Sequence, residues 1–192
     1  MNLYDFDKTI YLYDSTFKFF LHCLKQNPAI AFRLPSQALA FALWKLGIKD
    51  KMYFKQRFFC FLRSVKNVET EIERFWDKQE KNICRWFLDC KSEGDIVVSA
   101  SPEFLIRPIT ERLCVKCIAT QVDCKSGKFL SPNCYGEEKT NRLRKIGITE
   151  VEKAYSDSKS DLPMLNLAAS GYIVKNSSIE KCKMVEISKT CR

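Results

Sequence analysis

Asp95-Ile96-Val97-Val98-Ser99-Ala100-Ser101-Pro102 is the stretch on which the fold turns. Gly94 precedes it, and residues 96–98 form a β-branched run that is apolar at consecutive positions and bounded too closely for a helix. A strand apolar on both faces belongs in a parallel sheet covered on both sides. Downstream, the same texture alternates with helical patterning. Pro102–Leu113 reads as a helix and Cys117–Val122 as a strand. Gly136-Glu137 opens a helix to about Ile146, ended by Gly147. Val151–Ser156 reads as a strand, Leu162–Ala169 as a helix ended by Gly171, and Tyr172–Val174 as a strand. Such alternation builds a doubly wound parallel α/β sheet.

Upstream the texture is different. Phe17, Phe20, Leu21 and Leu24 recur at helical spacing, as do Phe54, Phe58, Phe61 and Leu62, and then Ile72, Phe75 and Trp76. Asn67-Val68-Glu69 is expected to open the last of these helices, whose acids come early and bases late, as the helix dipole favours. Before them, Asn2–Phe6 is a short apolar run that ends in carboxylates, the expected first strand. The chain therefore divides into an α/β core of residues 1–14 and 91–192 and a helical cap of residues 15–90.

Composition sets the outer limits. The 192 residues are 46% hydrophobic and 29% charged, with six Gly and six Pro, which excludes a disordered or collagen-like chain and suffices for a buried core. The ten cysteines follow an N-terminus without the features of a signal peptide, so reduced thiols and a cytoplasmic location are expected. Cys114-Val115-Lys116-Cys117, with Cys124 and Cys134, has only loose zinc-site spacing and reads as apolar filling. The most apolar segment, Ala29–Leu46, is interrupted by Arg33, Pro35, Gln37 and Lys45, and falls short of the roughly 20 residues of a membrane span. The lone His22 sits in an apolar helical stretch and reads as packing.

In an open parallel sheet, chemistry gathers beyond the C-terminal ends of the strands. The residues there are Asp5 and Asp7 after the first strand, Ser99 and Ser101 at the end of the second, and Asp157 and Asp161 after Val151–Ser156. Lys139 stands near a helix start. Each has a plainer alternative: solvated acids at an edge, a helix cap at Ser101-Pro102, one lysine among 32 basic residues. Together they set carboxylates, hydroxyls and an ammonium at the ends of different elements.

In their order along the chain, Asp5-Phe6-Asp7-Lys8-Thr9, Ser99, Lys139 and Asp157 with Asp161 resemble the four motifs of the haloacid dehalogenase superfamily of phosphatases. The helical insertion resembles the cap of its phosphoserine phosphatase-like subfamily (IB), as do Val98-Ser99-Ala100-Ser101-Pro102 and Tyr155-Ser156-Asp157-Ser158, which are also similar to phosphatidylglycerophosphatase C. Lys8 departs from a position that is Gly in many members. The resemblance implies a Rossmann-like core and a magnesium-dependent phosphomonoester hydrolase. It implies Asp5 as nucleophile and Asp7 as general acid and base. It implies Asp5, the Asp7 carbonyl and Asp157 as metal ligands, with Asp161 holding a metal-bound water or orienting Lys139. Thr9, Ser99 and Lys139 would serve the phosphate, with Thr9 also bracing the nucleophile loop. Physically, these roles suit a dianionic substrate, which repels a carboxylate nucleophile until cations neutralise it.

The cap is expected to set the substrate. Residues 15–90 hold 14 basic and seven acidic side chains, and Arg33–Lys66 alone holds eight basic residues against Asp50, interleaved with Trp44, Tyr53, Phe54, Phe58, Phe59 and Phe61. That pattern fits a solvated cationic face over an aromatic core. It also fits peripheral contact at the inner membrane face with anionic membrane or a lipid phosphate. A small phosphorylated metabolite such as phosphoserine is the other expectation, with Asp14 placed for a substrate amine and Arg57 for its carboxylate, although the register of Phe54-Lys55-Gln56-Arg57 fits the clamp poorly. A nucleic-acid partner is not expected: no binding motif is present, and the clustered acids would repel a phosphate backbone.

Overall fold

In the computed structural model, which describes residues 1–175 and 178–181, six strands form one sheet. They are β1 (Asn2–Tyr4), β2 (Ile96–Pro102), β3 (Lys116–Thr120), β4 (Val151–Ser156), β5 (Ala168–Lys175) and β6 (Ser178–Lys181), in the order β3-β2-β1-β4-β5-β6. The first five are parallel and β6 runs antiparallel to β5, an edge strand that the apolar pattern did not announce. The order reverses at β1, which has β2 on one side and β4 on the other, and such a reversal leaves a crevice at the strand ends.

Register explains the unbroken apolar runs. Leu3 lies opposite Ile96 and Ala154, and Tyr4 opposite Val97 and Tyr155. With a period of two, Leu3, Ile96, Val98 and Ala154 share one buried cluster with Leu143, Met164 and Leu165. Tyr4, Val97 and Tyr155 belong to the other, with Phe87, Leu105 and Ile106. Both faces are covered, so neither can be polar.

Between β1 and β2 run α1 (Ser15–Gln26), α2 (Leu34–Lys45), α3 (Lys51–Phe59), α4 (Val68–Gln79) and α5 (Arg85–Cys90), with short 3-10 turns between several of them. Asp14, Asp50 and Asn67 cap α1, α3 and α4 by accepting the N–H of Phe17, Tyr53 and Thr70. The helix expected to be last, α4, is followed by α5, because Trp86 and Phe87 find Tyr155 and Tyr4 to pack on, at ring-centre distances of 5.2 and 4.9 Å. Trp76 of α4 meets Phe6 at 5.8 Å and donates its Nε1–H to the Leu105 carbonyl at 2.7 Å. The helical segment and the sheet thus share one apolar cluster. His22 bonds Glu71 at 2.8 Å and stacks on Phe19, a packing role as expected. Among the described residues, no helix is long and apolar enough to cross a membrane.

After β2 come α6 (Glu103–Arg112), α7 (Glu137–Lys145) and α8 (Leu162–Leu165). The helix expected to reach Ala169 stops at Leu165, and Gly171 lies inside β5 rather than at a helix end. A Cβ on Gly171 would stand 3.2 Å from Cβ of Leu165, so this glycine lets the strand approach the helix closely. Cys114, Cys117, Cys124 and Cys134 are free thiols, and Cys182 and Cys191 lie outside the described residues.

Candidate active site

The strand ends deliver the carboxylates. Asp5 follows β1 directly, and its N–H donates to the Tyr155 carbonyl at 2.8 Å, prolonging the pairing with β4. The chain then turns sharply: the N–H groups of Thr9, Ile10 and Tyr11 all return to the Phe6 carbonyl. Lys8 sits in this turn at φ +58°, the left-handed region. A lysine there costs about 1–2 kcal/mol, which accounts physically for glycine being common at that place in the resembled family.

Lys139, in the first turn of α7, reaches two carboxylates. Its Nζ donates to Oδ1 of Asp5 and to Oδ2 of Asp161, each at 2.6 Å. The Ser156 hydroxyl donates to the same Asp161 oxygen at 2.7 Å, which fixes the loop after β4. All are nearly sealed: Lys139 is 1%, Asp161 2% and Asp5 8% exposed. Burial works against the Lys139 ammonium, yet the charges of Asp5 and Asp161 outweigh it and push its pKa above the usual lysine value. Burial pushes the Asp5 carboxyl up to about 7, against the pull of Lys139.

Asp7 turns its side chain elsewhere. Oδ1 accepts the Ser15 N–H at 2.8 Å, and Oδ2 accepts the Ser101 hydroxyl at 2.5 Å. The hydroxyls of Ser15 and Thr16 meet that of Ser101 at 3.2 and 3.0 Å. Burial, then the charge of Asp14, raises Asp7 to about 6, while the bonds from Ser101 and Ser15 pull it down. The buried Ser99 hydroxyl accepts the Ser101 N–H at 3.1 Å, which keeps its own proton available to an incoming acceptor. The Thr9 hydroxyl accepts the Asp157 N–H at 2.9 Å, tying the first loop to the loop after β4.

Among the described residues, no three His, Cys, Asp or Glu side chains are arranged to hold a metal ion. The Asp7 side chain is turned to Ser15 and Ser101, and Asp5 and Asp157 are the carboxyls left facing each other. Burial, and after it the charge of Asp161, raises the Asp157 carboxyl against the pull of Lys8 and of the adjoining Asp5. Two adjacent carboxyls need a proton or a cation between them. Among the described residues, Asp161 Oδ1 is buried without a hydrogen-bond partner, an acceptor suited to a cation-bound water. Two carboxylates, backbone oxygen and waters match the ligand preferences of magnesium, so the residues fit that ion.

The two residues expected to select substrate part company. Asp14 caps α1 and lines a cavity of about 350 Å³ that opens beside Asp7 and Ser101. Arg57 faces a separate depression with Gln56, Arg63 and Ser126, its guanidinium 5.5 Å from the Tyr53 ring centre. Arg57 lies two residues beyond Lys55, about 200° around the helix and so on the opposite face, and it is Lys55 that enters the cavity. The sequence marks Ser101 as a strand-end hydroxyl without a role and does not mark Ser15 or Ser156, yet all three are hydrogen-bonded to the site carboxylates. The Ser-x-Ser spacing was the available signal for Ser101, since alternate strand residues share a face. Nothing marked Ser15, whose role depends on α1 starting beside Asp7.

The family model of haloacid dehalogenase-like hydrolases matches residues 3–166. Over 88 residues the chain is 36% identical to a probable phosphatase of Mycobacterium tuberculosis; the match covers 41% of this chain and 31% of that protein, so the chain spans about a third of the length of this curated relative. In solved structures the fold is similar to a Bordetella pertussis protein of unknown function (TM-score 0.69, 21% identity, 89% of this chain and 87% of that one). It is also similar to a phosphoserine phosphohydrolase-like protein of Francisella tularensis (TM-score 0.57, 17% identity, 92% and 87%).

Proposed function

Since the chain belongs to the haloacid dehalogenase-like hydrolase family, we propose that it is a phosphatase that cleaves a phosphate monoester through an aspartyl-phosphate on Asp5. The observation that carries this is the division of labour between the two carboxyls of Asp5-Phe6-Asp7. Asp5 is held by Lys139 at 2.6 Å, whereas Asp7 is held by Ser101 and Ser15 on the side of the open cavity. One carboxylate is positioned by a cation and the other is poised for proton exchange.

An Asp5 oxygen bonds to phosphorus as the bond to the leaving oxygen breaks, and Asp7 gives its proton to that oxygen. Asp7, now ionised, takes a proton from a water that attacks phosphorus and releases Asp5. A carboxyl near 6 exchanges protons in both directions close to neutrality. Lys139 and Ser99 supply donors for the phosphoryl oxygens. The carboxylates of Asp5 and Asp157 with the Asp7 carbonyl would hold magnesium, which when bound supplies positive charge against the phosphoryl oxygens. Acid quenching during turnover of p-nitrophenyl phosphate, followed by peptide mass spectrometry, should find phosphate on Asp5. Phosphate on no aspartate, together with full turnover by Asp5→Asn, would overturn the assignment.

The exposed apolar residues around α2 favour a second reading, a phosphatase working at an anionic membrane on a lipid phosphate. Phe32 is 90%, Leu46 73%, Leu39 61% and Ile48 61% exposed, and all lie on or beside α2, next to Arg33, Lys45 and Lys49. Exposed apolar side chains with a basic rim suit a bilayer surface. Co-sedimentation with anionic vesicles tests it.

A further inference from the structure

We propose that the cavity beside Asp7 receives a leaving group with two features, an apolar or aromatic body and a second anionic group. This rests on the phosphatase reading and names the class of ester it would cleave. The cavity opens on Asp7, the group placed to protonate the departing oxygen, so what it holds is the alcohol rather than the phosphoryl group. Its walls are aromatic: Phe17, Phe54, Phe58, Phe59 and Tyr135 line it. A volume of about 350 Å³ with such walls exceeds what a serine needs and offers ring faces to a larger apolar body.

Two ammonium groups from one face of α3 supply the charge. Lys51 and Lys55, one helical turn apart, both line the cavity. Lys51 stands 4.5 Å above the Tyr135 ring centre. Lys55 donates to Asn133 Oδ1 at 2.9 Å and approaches the Ala100 carbonyl at 3.5 Å. The Thr120 hydroxyl shares its one proton between Asn133 Oδ1 at 3.2 Å and the Ala100 carbonyl at 3.1 Å. Lys55 is therefore a cap cation fixed against the core, not a solvated side chain. Burial, with Lys51 adding to it, lowers its pKa to about 8, a cost that an anion seated against it would relieve. Asp14 is committed in part to capping α1, and Arg57 faces away, so the anion-binding duty falls to Lys55 and Lys51.

The same chemistry is found in soluble aryl or nucleoside esters bearing a second anion and in lipid phosphates with an anionic diester. The test uses four esters: 2-naphthyl phosphate, 6-carboxy-2-naphthyl phosphate, O-phosphoserine and a dioctanoyl phosphatidylglycerophosphate. The carboxylated naphthyl ester should exceed the uncharged one in kcat/KM by about tenfold or more, the usual weight of a hydrogen bond to a charged group. Lys55→Met should cut that ratio through KM and Lys51→Met combined with it should abolish it, whereas Lys55→Arg should keep part of it. Calorimetric binding of the product 6-hydroxy-2-naphthoate should be at least tenfold tighter than that of 2-naphthol in wild type and equal when Lys51→Met and Lys55→Met are combined. This readout needs no catalysis, so it separates failure of the pocket assignment from failure of the phosphatase assignment. Preference for the dioctanoyl ester over the carboxylated naphthyl ester identifies the lipid source, and the reverse the soluble one. A naphthyl ratio near one, or O-phosphoserine as the best ester, would overturn the proposal.

Discussion

Lys139 and Asp5 are joined by a 2.6 Å charge-assisted hydrogen bond in a pocket where neither is more than 8% exposed. Burying such a pair costs several kcal/mol per ion before their attraction is counted. Here a second carboxylate, Asp161, meets the same ammonium at 2.6 Å, and Ser156 satisfies that carboxylate further. One ammonium between two carboxylates still leaves the cluster net negative, so Lys139 orients Asp5 and an incoming dianion calls for a further cation beside it.

Lys139→Met should leave Asp5 and Asp161 without their shared cation. Removing one partner of a buried pair costs about 3–5 kcal/mol, and urea unfolding near neutral pH should show a loss of that size. Turnover of p-nitrophenyl phosphate should fall with it. Unchanged unfolding together with unchanged turnover would mean that the ammonium serves neither stability nor chemistry.

The raised pKa of Asp7 gives a pH dependence with a definite sign. Folding lifts the carboxyl from about 3.8 to about 6, so the folded state holds the proton more tightly. The associated stabilisation is complete below the unfolded value and is lost as pH rises through about 6. Asp7→Asn, measured in chelator, should therefore gain stability relative to wild type at pH 8 compared with pH 4. An Asp7→Asn difference that is the same at both pH values would show that Asp7 is not shifted by folding.

The sheet was legible because burial on both faces writes itself into consecutive apolar residues: Ile96, Val97 and Val98 each meet a different neighbour but none meets water. The β1, β2 and β4 ends could be read for the same reason, since carboxylates and hydroxyls stop the apolar runs abruptly. What could not be read depends on contacts between segments distant in sequence. The shortening of α8 follows from the seating of Gly171 against Leu165, and α5 forms because Tyr4 and Tyr155 offer it a surface. The choice of Lys55 over Arg57 is a matter of helix rotation, which α3 hides by being apolar on more than one face. Arg33–Lys66 reads as one cationic stretch in the sequence; in space Lys51 and Lys55 line the cavity, and Lys49 lies over the Tyr53 ring at 5.5 Å.

Magnesium should raise the melting temperature of the wild-type protein by mass action, because the folded state brings Asp5 and Asp157 together and the unfolded chain does not. Asp157→Asn should abolish the rise, and chelator should abolish turnover in wild type. Chelator-resistant activity, or the same shift in Asp157→Asn, would place the ion elsewhere.

The exposed apolar residues around α2 give the last expectation. A bilayer would take up Phe32, Leu46 and Ile48, while Arg33, Lys45 and Lys49 would meet lipid phosphates, each worth about 1 kcal/mol near an anionic surface. Two or three such charges with buried apolar side chains suffice for measurable, reversible binding, which salt should weaken. The protein should therefore co-sediment with vesicles containing phosphatidylglycerol at low salt and much less with neutral phosphatidylcholine. Phe32→Ser with Leu46→Ser should remove the apolar share, and Lys45→Glu with Lys49→Glu the salt-dependent share. None of these four residues lines the cavity beside Asp7, so turnover of a soluble aryl phosphate should change little in either variant. Equal recovery of wild type and both variants with the vesicles, or no recovery of wild type at low salt, would exclude the membrane-surface reading and leave a phosphatase acting on soluble esters.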